Sequence, residues 1–205
     1  MGLTAPPQRI GVYGGAFDPP HAAHLAVARA AIEQLALDEL LVIPTGDAWH
    51  KSRPLSPARD RLALCRLAFA DWPRVRVDDR ELQRDGPTYT IDTLRDLRTQ
   101  HPEAELFFIT GADALAQILS WKDAEELFEL AQFIGVTRPG YVLTEDGLPA
   151  DRVHLQEVPA MAISSTDCRD RVGDGEPVWY LVPDGVVQYI NKHQLYAVEE
   201  SRASH

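Results

Sequence analysis

The 205-residue sequence contains only two cysteines, Cys65 and Cys168, with no CxxC pair and no metal-ligand spacing. This argues against a disulfide framework and for reduced thiols in a reducing compartment. No apolar run approaches the roughly 20 residues that a membrane-spanning helix needs, and residues 26–31 are interrupted by Arg29. Residues 1–9 hold two prolines and no apolar stretch, so a signal peptide is not expected and a cytoplasmic location is. Basic residues are in deficit, 20 Lys and Arg against 31 Asp and Glu, for a net charge of −11. Nucleic acid and membrane surfaces are therefore not expected partners. No self-similar period is present, which argues against a repeat array. With 45% hydrophobic and 25% charged residues, the chain can bury a full core, and a single domain over residues 1–205 is expected, ordered from about 8 to 196 with a frayed tail at 197–205.

Strand and helix patterns alternate along the chain. Residues 10–15 (IGVYGG) read as a short strand ending in a glycine pair. From 21 to about 36, Leu25, Ala28, Ile32 and Leu35 recur at helical spacing. Residues 39–43 read as a second strand closed by Pro44, completing a right-handed βαβ unit. A long loop over 45–57 is followed by a helix with Ser56 as N-cap, Pro57 in the first turn, and Leu62, Cys65 and Phe69 on its apolar side. Further strands are expected at 75–77, 106–110, 132–136 and 154–158, and helices at 90–99, 113–119, 123–130, 164–172 and 184–192. This order predicts an α/β fold with a doubly wound, mainly parallel sheet and a small C-terminal helical part, its ligand at the carboxyl ends of the strands.

The first βα turn, from Gly14-Gly15 through Phe17-Asp18-Pro19-Pro20 to His21 and His24, occupies the phosphate-binding position of a nucleotide fold. A Walker loop is absent, since no Gly-Lys-Ser/Thr occurs there, and the third glycine of the dinucleotide fingerprint is missing. Two histidines three residues apart at a helix start project from one face near the positive end of the helix dipole. Two other readings stand beside phosphate binding: His21 and His24 as zinc ligands with Asp18 nearby, for which no third strong ligand is evident, and histidines that only cap and pack. Near the other end, Ser164, Ser165 and Thr166 precede Arg169. A lone hydroxyl residue there is ordinarily an N-cap. Three in a row, with a guanidinium one turn beyond Ser165, offer an anion hydroxyls, consecutive N–H groups and a fork-shaped cation. Two helix N-termini closing on a polyphosphate is the central expectation.

These residues are similar to the two halves of the (T/H)xGH nucleotidyltransferase signature. With Pro44, His50-Lys51, the segment from Tyr89 to Thr93, Gly111-Ala112-Asp113, Trp121, Arg138-Pro139-Gly140 and Tyr189-Ile190, nearly the whole chain resembles the bacterial nicotinate-nucleotide adenylyltransferase family. Ala23 stands where the family has glycine, and Cys168 where an aliphatic residue precedes the arginine.

The resemblance implies adenylyl transfer from ATP to nicotinate mononucleotide, giving deamido-NAD and pyrophosphate. It implies His21, His24 and Arg169 as catalytic residues, and Gly14, Gly15, Phe17, Asp18, Ser164, Ser165 and Thr166 at the phosphates of ATP. Lys51, Thr88, Tyr89, Thr90, Gly111, Asp113, Trp121, Lys122 and Arg138 are implied at the mononucleotide, Trp121 stacking on the pyridine ring and backbone N–H groups near Thr88 and Lys122 holding its carboxylate. Magnesium is expected on the substrate phosphates, with no protein metal site. A relative using nicotinamide mononucleotide or phosphopantetheine, or a non-catalytic nucleotide sensor, is the alternative. Homo-oligomerisation is left open.

Overall fold

The computed structural model describes residues 6–46, 54–137, 147–159 and 161–197. In chain order its elements are β1 (Arg9–Gly15), α1 (Ala22–Gln34), β2 (Glu39–Pro44), α2 (Ala58–Ala68), β3 (Val75–Val77), α3 (Thr90–Gln100), β4 (Glu105–Gly111), α4 (Ala112–Leu115), α5 (Ala124–Leu130), β5 (Gln132–Thr137), β6 (Val153–Glu157), α6 (Ser165–Gly173) and α7 (Asp184–His193). The six strands run in the order β3-β2-β1-β4-β5-β6, and every pairing is parallel. The sheet is the doubly wound one that the βαβ alternation predicts. Chain order reverses between β1 and β4, so the connections leaving these two strands depart to opposite faces and open a crevice at their carboxyl ends.

Period-two alternation divides the strand side chains between two cores. Tyr13, Leu40, Val42, Phe107, Ile109 and Ile134 face a core closed by α1, α2, α6 and α7. Ile10, Val12, Leu41, Ile43, Leu106, Phe108 and Phe133 face a second core closed by α3, α4 and α5. Strands buried on both faces explain the continuous apolar runs ELLVIP and ELFFITG. Cys65 and Cys168 both lie in the first core. Gly11 faces the same core from the middle of β1, and an added Cβ there would come within 2.5 Å of Leu37 Cδ1 and 2.7 Å of Leu40 Cδ1.

Two local expectations are corrected. Helix α2 begins at Ala58 with Pro57 as its N-cap, and it buries Asp60, Arg61, Leu64, Cys65 and Ala68. Of the expected Leu62-Cys65-Phe69 stripe, Cys65 and Phe69 are buried in the first core and Leu62 is half-buried; the buried face also takes in Arg61, whose guanidinium is kept there by carbonyls that no periodicity reveals. The helix expected over 113–119 is a single turn, α4, followed by a 3₁₀ turn at Ile118–Ser120. A further 3₁₀ turn at Arg80–Gln83, unforeseen from the sequence, buries Glu81.

Gly11→Ala is expected to lower unfolding free energy by about 1–3 kcal/mol, since the methyl must displace two buried leucines, while turnover at saturating substrate is unchanged. Urea denaturation with parallel assays measures both.

Candidate functional site

Helix α1 begins where the chain leaves β1 through residues 16–21. His21, 6% exposed, is its N-cap residue with extended backbone. Phe17 adopts a left-handed conformation at φ 48°, and the Asp18–Pro19 peptide is cis. The Phe17 ring folds under the turn, so that a Cβ on Gly15 would lie 3.1 Å from it. A side chain at 15 would therefore press on the ring. Phe17 packs edge-on against Tyr13 and His24, with centroids 5.4 and 5.0 Å away. Its side chain is 1% exposed, so any contribution to a phosphate falls to its backbone.

The two imidazoles lie face to face, centroids 3.8 Å apart and planes 31° apart. The His21 backbone N–H donates to His24 Nδ1 at 3.1 Å. A neutral His24 with Nδ1 as acceptor carries its proton on Nε2. The Nδ1 of His21 is buried without a protein partner. Burial holds His24 down to about 3, with the neighbouring His21 adding to the effect. Burial likewise lowers His21 to about 4, against an opposing pull from the Asp167 carboxylate. Both rings are neutral at physiological pH in the free protein.

Helix α6, on the same face of the sheet as α1, also meets this loop. Ser165 Oγ donates to the Pro19 carbonyl at 2.9 Å, and Arg169 donates to the Asp18 carbonyl at 2.8 Å and to Thr166 Oγ1 at 2.9 Å. Segments 146–151 residues apart in sequence thus share hydrogen bonds, and the two expected clamp halves come together. Ser164 acts as an N-cap, accepting from the Asp167 N–H at 3.1 Å while the Asp167 carboxylate accepts from the Ser164 N–H and hydroxyl. Its hydroxyl therefore serves the helix, in keeping with the usual role of a lone hydroxyl at that position.

Asp18, 1% exposed, points beneath the loop. Its carboxylate accepts from the Ser56 N–H at 3.1 Å and the Tyr196 hydroxyl at 2.7 Å. The expectation that it faces ATP phosphates is corrected: its negative charge is directed into the protein. Arg61, 2% exposed, donates to the carbonyls of Ala16 and Ser56, both at 3.0 Å. Sequence reasoning missed Arg61, Ser56 in this role and Tyr196. The available signal was Arg61 itself, a charge at helical spacing from Leu64, Cys65 and Ala68.

An open cleft of about 400 Å³ lies at the strand-order reversal, lined by Ala23, Gly111, Asp113, Thr137, Met161 and Ile163 among others. Gly111 and Asp113, expected with the mononucleotide group, line this cleft together with Ala23 and Ile163 of the two phosphate motifs. Of the described rest of that group, Tyr89 and Trp121 pack against the second core. Trp121 packs edge-on against Phe108 with centroids 6.0 Å apart, Lys122 sits 4.5 Å over the Tyr89 ring, and Lys122 pairs with Asp92 at 3.5 Å. Phe108 connects the two regions, since a Cβ on Gly14 would lie 3.6 Å from its ring. Thr90 opens α3 with Tyr89 as N-cap, and the neighbouring Thr88 Oγ1 is buried without a protein partner. Lys51 and Arg138 lie outside the described residues. Among the described residues no three His, Cys, Asp or Glu side chains are grouped to hold a metal ion, and no helix is long and apolar enough to cross a membrane.

Comparison with known proteins agrees with this geometry. Residues 12–171 match the cytidylyltransferase-like family model. A Streptomyces coelicolor protein named "Probable nicotinate-nucleotide adenylyltransferase" is 59% identical over 91% of this chain and 100% of its own length. A protein of the same name from Leifsonia xyli subsp. xyli is 60% identical over 92% of this chain and 94% of its own. The Plasmodium falciparum nicotinic acid mononucleotide adenylyltransferase complexed with APC superimposes with a TM-score of 0.74 at 21% identity, over 92% of this chain and 97% of that one, and shares the fold. With its paired helix N-termini, its parallel sheet and relatives about 60% identical over nine-tenths of its length, the chain belongs to the nicotinate-nucleotide adenylyltransferase family.

Proposed function

We propose that this chain transfers the adenylyl group of ATP to nicotinate mononucleotide, giving deamido-NAD and pyrophosphate, a cytoplasmic step of NAD biosynthesis. The observation that carries this reading is the meeting of α1 and α6 on one loop at the strand-order reversal, with His21 and His24 on one side and Ser165, Thr166 and Arg169 on the other.

In the reaction a phosphate oxygen of the mononucleotide forms a bond to the α-phosphorus of ATP. The bond from that phosphorus to the α–β bridging oxygen breaks, and pyrophosphate leaves with the electron pair. A phosphate monoester with a second pKa of about 6 is already largely dianionic near neutral pH, so no general base is required. The protein's work is alignment and stabilisation of moving charge. His24, held by the His21 N–H, presents Nε2–H as a directed donor to the phosphates. Arg169, Ser165 and Thr166 receive the departing pyrophosphate. Gly14 and Gly15 end β1 at the loop that receives the phosphates, beside the start of α1.

Asp113, lining the cleft with Ala23 and Ile163, accepts from the ribose hydroxyls of ATP. The mononucleotide takes the Phe108 side, its pyridine ring on Trp121 and its carboxylate on backbone N–H groups near Thr88 and Lys122. Lys51 serves its phosphate, and Arg138 a phosphate or the adenine side. ATP enters as its magnesium complex. The Asp18 and Asp167 carboxylates are engaged by Ser56 and Tyr196 and by Ser164, so the ion fits phosphate oxygens and water better than a protein carboxylate cage.

Three outcomes are expected. Magnesium, ATP and nicotinate mononucleotide together release pyrophosphate, and nicotinamide mononucleotide does so at least tenfold less efficiently, because an amide NH₂ would set donor against donor; equal efficiencies would remove the carboxylate assignment. His24→Ala lowers kcat by about 10²–10³-fold, as loss of a directed transition-state donor does, while the KM for ATP moves less than about threefold. The third concerns pH. Folded-state histidine pKa values of about 3 and 4 lie below the unfolded value of 6.5, so the unfolded chain binds more protons between about pH 4 and 6.5. Stability therefore falls as pH drops through that window, on the order of 1–2 kcal/mol for each histidine between pH 7 and 5. Urea midpoints at the two pH values should show this fall, and a His21→Gln/His24→Gln protein should lose most of it.

A further inference from the structure

After α7 the chain turns back on itself. Gln194 and Tyr196 both take left-handed conformations, at φ 50° and 66°. The Leu195 N–H returns to the Ile190 carbonyl at 3.0 Å, closing the helix end. Left-handed backbone at two non-glycine residues within three positions costs free energy, and such strain persists where the surrounding structure over-determines it. What it achieves here is the delivery of one hydroxyl. The Tyr196 phenol donates at 2.7 Å to Asp18 Oδ1, in the loop between β1 and α1, 178 residues away in sequence. Burial, and then the Asp18 charge, raise its pKa far above the ordinary phenol value. The group stays protonated across the working range and acts as a permanent donor.

The Asp18 carboxylate has a second holder in the Ser56 N–H at 3.1 Å, ahead of α2. The backbone of the same residue is gripped from the opposite side by Arg169, whose guanidinium donates to the Asp18 carbonyl at 2.8 Å. Tyr196 is also near enough to Arg169 and Ser56 to feel both. Three residues beyond Asp18, His21 begins α1 and through its N–H sets His24. A hydroxyl at the end of the described chain is thus one hydrogen bond from the loop that places both imidazoles.

We propose that Tyr196 is a positioning residue for adenylyl transfer: by holding the Asp18 carboxylate, its phenol fixes the loop that sets His21 and His24 against the phosphates of ATP. This rests on the reading of the site as an adenylyltransferase. The hydroxyl touches no reacting atom in this role. It keeps the donors in register, where displacement by about 1 Å can cost 10²-fold.

The fold supplies a matched control. Tyr189 in α7 donates to Asp60 Oδ1 in α2 at 3.0 Å, a tyrosine–carboxylate bond that includes no atom of the 16–20 loop. Tyr196→Phe and Tyr189→Phe each remove one such hydroxyl and should lower Tm by similar amounts. Tyr196→Phe alone is expected to reduce kcat about tenfold and to weaken ATP binding by at least fivefold in calorimetry, with the KM for the mononucleotide within twofold. Because the hydroxyl acts through the carboxylate, Asp18→Asn and the Asp18→Asn/Tyr196→Phe pair should lose the same factor in kcat, without multiplication. Should Tyr196→Phe not fold, Asp18→Asn alone carries the test, with the same loss in kcat and ATP affinity and an unchanged mononucleotide KM. The proposal is overturned if Tyr196→Phe matches Tyr189→Phe in kcat and ATP affinity, or if the two losses multiply. A wild-type protein that releases no pyrophosphate with any mononucleotide removes the adenylyltransferase reading instead, and ATP affinity then still decides whether Tyr196 holds the phosphate loop.

Discussion

Three backbone carbonyls, those of Ala16, Asp18 and Pro19, are the points on which the site is assembled. A loop that crosses the end of a parallel sheet cannot satisfy its carbonyls within a ladder or a helix, and leaving them unpaired in a partly buried place costs free energy. Here Arg61, Arg169 and Ser165 each donate to one of them. The donors come from two helices far apart in sequence, and satisfying the loop simultaneously brings the start of α6 against the start of α1. Phosphate-facing chemistry thus follows from a backbone requirement.

The electrostatics are arranged to suit. A chain of net charge −11 presents ATP with a general repulsion, which in the proposed site a guanidinium and two helix N-termini offset locally. The nearby acidic groups are turned away or engaged: Asp18 is directed beneath the loop toward Ser56 and Tyr196, and Asp167 is folded into the cap of α6. Neutral imidazoles complete the arrangement. Their burial keeps them uncharged before substrate arrives, so they are oriented by geometry, ring against ring and against Phe17.

Most of the fold is legible in the sequence because its signals are local. Strands β1 to β6 follow apolar runs with turn residues at their ends, and α3, α6 and α7 follow caps and periodicity within a residue or two. Legibility falters where a side chain's partner is remote. Ser56 reads as a helix cap from its neighbours, yet its N–H serves Asp18, 38 positions away. Phe17 and Asp18 read as phosphate contacts from their place in a motif, and packing turns both inward. Arg61 resembles any exposed helix arginine until the carbonyls of Ala16 and Ser56 are placed beside it. Asp113 follows a strand end and a glycine, but which substrate region that end faces depends on where β1 and α6 lie beside β4.

Alternation of apolar residues, the glycine pair after β1, the two histidines at one helix start and the hydroxyl run before Arg169 were determined by the sequence alone, and with them the doubly wound sheet and the expectation of a phosphate site. Each depends on residues within a few positions of one another, where spacing dictates which side chains share a face. Tertiary structure decided which donors meet which loop carbonyls, which carboxylates face inward, and that a tyrosine after the last helix closes over the first turn. Those are encounters between segments 38 to 178 residues apart, and they are set by strand order and side-chain packing, which local spacing does not encode.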